Sequence, residues 1–113
     1  MIYGEKAMER IYYDTYENRI RVTVWADTHS DGSVRIHNYT RGVYIDDIFG
    51  TDEDETFAVI PADFVSDALT ASGSSSLKEL LVYFDNYACC RNGYERVKSW
   101  LGKEGVSFTE ETL

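Results

Sequence analysis

Arg19-Ile20-Arg21-Val22-Thr23-Val24-Trp25-Ala26 decides the fold. Ile20, Val22, Val24 and Ala26 fall at every second position, with arginine, threonine and tryptophan between them. A period of two sends successive side chains to opposite faces of a strand, one dry and one wet. Outward from this run, Val34 and Ile36 alternate with Arg35 and His37. Ser30-Asp31-Gly32-Ser33 between them supplies turn chemistry, with Gly32 free to take positive φ. The two runs predict an antiparallel hairpin. Upstream, Arg10 to Tyr16 predicts another strand that reverses at Glu17-Asn18; downstream, Val43 to Ile48 alternates again. Thr56 to Ile60 is a short apolar run rich in β-formers.

Helical spacing follows. Pro61 suits a first helical position, where its missing donor would have no partner anyway, and Phe64, Val65, Ala68 and Leu69 continue at that spacing. Residues 71–75 read as a flexible break. Ser76 and Glu79 form a capping box ahead of the apolar stripe Leu77, Leu80, Leu81, Phe84 and Ala88. Asn92 and Glu95 repeat that logic before Tyr94, Val97, Trp100 and Leu101. Gly105 predicts a helix end, and Val106 to Thr109 a final strand. Strands first and helices second predict a single α+β domain over residues 1–113: an antiparallel sheet of about four to five strands with about three helices on one face.

The charge is segregated. The chain of 113 residues carries 11 basic and 20 acidic residues, a formal net charge of −9. Met1 to Arg41 is neutral and Lys78 to Leu113 carries −1. Gly42 to Leu77 holds Asp46, Asp47, Asp52, Glu53, Asp54, Glu55, Asp63 and Asp67 with no Lys or Arg, and so carries −8. Such a balance argues against general affinity for nucleic acid or an anionic membrane, and a one-signed field commonly steers a partner of the other sign. The same segregation is also what a solvated, solubilising face would need. No apolar run reaches membrane-span length and no leader pattern opens the chain, so a cytoplasmic protein with no membrane partner is expected.

Chemistry-bearing motifs are few. Adjacent Cys89 and Cys90 are poorly placed for a bridge to each other and do not complete a zinc spacing with two histidines, so they are expected to be buried or half-buried structural thiols. His29 falls in a polar turn and His37 on a polar strand face, where surface positions are expected. From Asp52 an Asp-x-Asp-x-Thr pattern opens like a calcium loop, but Phe57 stands at the sixth place and Asp63 at the twelfth, where glycine and glutamate are required. No phosphate loop or nucleophile elbow is present, and consecutive carboxylates in a loop are too wet for acid–base catalysis. A non-enzymatic protein with no cofactor and no metal is expected.

Binding accounts for the acids better. An extended chain advances about 3.3 Å per residue, close to the 3.4 Å between phosphates along one DNA strand. The expectation is an inhibitor that binds a basic protein, a nuclease or CRISPR-type complex, and blocks its nucleic-acid site, by analogy with nucleic-acid mimics, immunity proteins and anti-CRISPR proteins. Asp46, Asp47, Asp52, Glu53, Asp54 and Glu55 would stand for phosphates in an acidic loop, with Asp63 and Asp67 beside them and Tyr44 and Phe49 as anchors. The alternative is a single-strand or RNA-binding sheet face built from Arg19, Arg21, Trp25, Arg35, His37, Tyr39 and Arg41.

Overall fold

The structure, a computed structural model, describes residues 6–43 and 51–113. Tyr44, Asp46, Asp47 and Phe49 lie outside the described residues, as does the expected strand beyond Val43. Five strands form one antiparallel sheet in chain order: β1 (Lys6–Glu17), β2 (Ile20–His29), β3 (Val34–Val43), β4 (Thr51–Ile60) and β5 (Thr109–Thr112). Between β4 and β5 run α1 (Ala62–Ser72), α2 (Leu77–Tyr83), the single turn α3 (Asp85–Ala88) and α4 (Gly93–Lys103). The fold is α+β, with α2 and α3 reading as one helix broken at Phe84.

Alternation decides which sheet face is covered. Val22, Val24 and Ala26 of β2, Val34 and Ile36 of β3, and Ala58 and Ile60 of β4 join one core with Leu80, Leu81, Phe84, Val97 and Leu101 from the helices. Burying each of the larger of these side chains contributes roughly 1.5–3 kcal/mol. A bulge between Ile11 and Tyr13 interrupts the alternation of β1. It turns the consecutive Tyr12 and Tyr13 both toward the core and leaves Ile11, Asp14 and Tyr16 in line with the other face. The buried Tyr12 hydroxyl donates to the Leu81 carbonyl at 2.6 Å. Nearby, the Arg10 guanidinium grips both Asp85 oxygens at 2.8 and 2.5 Å, tying β1 to α3.

Several boundaries move from their sequence positions. The β1–β2 reversal uses Asn18 and Arg19, with φ of 51° and 66°, because Glu17 pairs directly with Ile20. Two consecutive left-handed residues make the primed hairpin turn whose twist suits flanking strands, and they take Arg19 out of the strand. Gly32, at φ 88°, closes the β2–β3 turn as expected. Pro61 precedes α1 as its extended N-cap and is not its first helical residue. Ser76 caps α2 by accepting from the Glu79 N–H at 3.1 Å. Asn92 makes no side-chain cap for α4; its Oδ1 instead accepts from the Cys90 thiol at 3.1 Å. Gly105, at φ 72°, ends α4 while Val106 N–H returns to the Leu101 carbonyl at 2.9 Å, so the last strand begins at Thr109 and not at Val106.

Candidate functional site: the open face of the sheet

The acidic stretch is not a loop. Thr51 to Glu55 is the first half of β4 and pairs residue by residue with β3, as Thr40 with Asp54 and Arg41 with Glu53. Aspartate and glutamate are poor β-formers, and the backbone ladder to β3 overrides that preference. Alternation then divides the acids. Glu53 and Glu55 stand on the open face, whereas Asp54 lies on the helix side and is exposed. Asp52 is described by its strand position alone. Strand β5 pairs only Thr56 to Val59, so the acidic half of β4 runs along an edge of the sheet, where charge discourages pairing with another chain.

Asp63 and Asp67 sit exposed on α1 as expected. Five strand residues and the Pro61 junction separate them from Glu55, roughly 20 Å at about 3.3 Å per residue. The structure therefore does not merge them with the strand acids into one row. Among the described residues, Asp54, Asp63 and Asp67 make no ion pair. Glu53 and Glu55 are engaged. The Tyr39 hydroxyl donates to Glu53 at 2.5 Å, which holds that phenol above its ordinary pKa, and Arg41 Nε lies 4.0 Å from the same carboxylate.

The open face has an organised centre that sequence reading missed. Across the strands, Ile11, Trp25, His37, Phe57 and Glu111 form one row. The Trp25 and His37 rings stack at 4.6 Å and 3°, and Phe57 leans on His37 from the other side at 5.3 Å. His37 is 7% exposed, not a surface histidine. Its Nε2 lies 3.2 Å from Asp27 and its Nδ1 lies 3.1 Å from Glu55, so carboxylates hold the ring at both nitrogens. His29 Nε2 also meets Asp27, at 2.7 Å; His29 ends β2 and is not a loose turn residue. Burial pushes the Asp27 carboxyl upward, but hydrogen bonds and charge from His37 and His29 outweigh it, and its pKa falls below the ordinary value.

The arginine expectation is half met. Arg21, Trp25, Arg35, His37, Tyr39 and Arg41 do share the open face, with Arg21 opposite Arg41 and Trp25 opposite His37. Acids answer them. Arg21 is held bidentately by Asp14 at 3.1 and 2.9 Å, which keeps the Asp14 carboxyl below its ordinary pKa. By register the face carries Glu9, Asp14, Asp27, Glu53, Glu55 and Glu111 against Lys6, Arg21, Arg35 and Arg41. It is acidic on balance, which opposes a polyanion.

The remaining candidates are simpler. Cys90 is half-buried but Cys89 is exposed, against the buried thiol expected, because the short turn α3 ends there. Desolvation and the charge of Asp85 raise the Cys89 pKa, which disfavours a reactive thiolate. The calcium-like pattern from Asp52 lies mostly on strand and not on a loop, and among the described residues no group of three or more His, Cys, Asp or Glu is disposed to hold a metal ion. Among those residues too, no helix is long and apolar enough to cross a membrane. Comparison with protein-family models, curated proteins and solved structures finds no match.

Proposed function

We propose that this is a non-enzymatic binding protein whose partner is a basic protein, and that it blocks a nucleic-acid-binding site on that partner. The observation that supports this reading most is the open sheet face, where by register six carboxylates, all but the buried Asp27 exposed or half-buried, stand against Lys6 and three arginines. An array of carboxylates held on an open sheet face suits a groove shaped for a phosphate backbone and favours fast, salt-sensitive association. Glu53 and Glu55 belong to this array, Asp54 extends it around the strand edge, and Asp63 and Asp67 act at longer range. Exposed Ile11 and Tyr16, at 60% and 63%, supply apolar area beside the charge.

Capture from a panel of basic nucleases and nucleic-acid-binding complexes tests the proposal. It compares the wild type with a variant carrying Asp52→Asn, Glu53→Gln, Asp54→Asn and Glu55→Gln. The wild type is expected to capture a basic partner at low salt and to compete with its oligonucleotide; the variant is expected to lose both. Direct binding of labelled oligonucleotide by the wild type alone would overturn the reading in favour of a single-strand-binding sheet.

A further inference from the structure

The open face contains a depression of about 380 Å³ bounded by Glu9, Ile11, Trp25, Tyr39, Glu55 and Arg21. Its floor is Thr23, and its cause is a difference in side-chain size. Thr23 lies between Asp14 on β1 and Tyr39 on β3, while the rows on either side carry Ile11 with Trp25, and Tyr16 with Arg21. One short side chain among long ones leaves a hollow walled by two aromatic rings.

We propose that this hollow receives a guanidinium side chain of the basic partner. The inference rests on the functional reading above and assigns the contact that gives it specificity. Three features select that chemistry. Trp25 and Tyr39 line the hollow, and aromatic rings attract a planar cation. The Trp25 ring is fixed on one side by its stack on His37, so little side-chain freedom is lost on binding. Charge also favours a cation: Glu9 and Glu55, the latter also held by His37, lie on the rim, and Arg21, the cation among the described lining residues, is held bidentately by Asp14. The Thr23 hydroxyl donates to Asp14 at 3.1 Å, which holds that pair to one side of the floor.

Titration calorimetry of the full chain with an N-acetylated tri-arginine amide, and with the neutral N-acetylated tri-citrulline amide as its isosteric control, tests the assignment. Because a chain of charge −9 attracts any cationic peptide, the deciding variants keep the charge: Thr23→Phe fills the hollow and Trp25→Leu removes a wall. Each is expected to weaken arginine-peptide binding roughly 10-fold, the loss of one desolvated cation–π contact. Tri-citrulline is expected not to bind. Unchanged affinity in whichever variants retain wild-type circular dichroism would overturn the assignment, as would equal binding of both peptides.

The functional reading fails separately. If the wild type captures no basic partner while Thr23→Phe still loses the peptide, the pocket stands and the blocking role falls. If Thr23→Phe captures the partner as well as the wild type, the pocket assignment falls and the blocking role stands.

Discussion

His37 is the residue on which the open face is organised. It is held by Asp27, Glu55 and Trp25 together, and removing the ring leaves two carboxylates without that hydrogen-bond partner. His37→Ala is therefore expected to destabilise the protein by about 2–4 kcal/mol in urea titrations. A loss below about 0.5 kcal/mol would mean that water replaces the ring without penalty. Asp27 adds a pH dependence whose sign follows from its lowered pKa. Its stabilising contribution is present above its ordinary value of 3.8 and is lost as pH falls through the lower folded value. Stability measured between about pH 5 and pH 2 should fall, and Asp27→Asn should flatten part of that slope. Arg19 points the other way. A non-glycine residue at φ 66° stores about 1 kcal/mol of strain, so Arg19→Gly should raise the urea midpoint.

At the scale of elements, strand β5 shows how little holds a short edge. It spans four residues, all exposed, and pairs only with β4. Its anchor is Glu110, which accepts from the Tyr94 hydroxyl and from Lys98 Nζ, both at 2.7 Å, and whose carboxyl those bonds hold below its ordinary pKa. Glu110→Gln is expected to speed hydrogen exchange at Thr109 to Thr112 at least several-fold while leaving β2 and β3 unchanged. Equal protection in both proteins would show that the ladder to β4 suffices. Helix packing depends on a different detail. A Cβ added at Gly93 would lie 2.2 Å from the Ala88 carbonyl, so Gly93→Ala must push α3 and α4 apart, at a cost of about 1–3 kcal/mol.

Over the whole molecule, charge segregation governs behaviour in salt. The stretch Gly42 to Leu77 repels itself, and screening relieves that repulsion over roughly 10 Å at 0.1 M salt. The urea midpoint is expected to rise between about 10 and 300 mM sodium chloride, while binding to a basic partner weakens over the same range. A midpoint that falls with salt would instead give the larger role to the local pairs Arg10–Asp85 and Arg21–Asp14.

Much of what local period and turn chemistry carry was legible in the sequence, although the caps at Pro61 and Asn92 were not. The alternation around Val22 and Val24 set the dry face of β2, and Gly32 and Gly105 marked a turn and a helix end, since each signal lies within a few residues of its effect. The outward row of Arg21, Trp25, Tyr39 and Arg41 was legible for the same reason. Tertiary structure alone decided the charge partners. His37 meets Asp27 from 10 residues away and Glu55 from 18, a proximity set by the register of three strands. The bulge in β1 decided which tyrosines are buried, and pairing with β3 drew the acidic stretch into a strand against its own preference. Burial and electrostatics depend on neighbours in space, and only the assembled sheet brings those neighbours together.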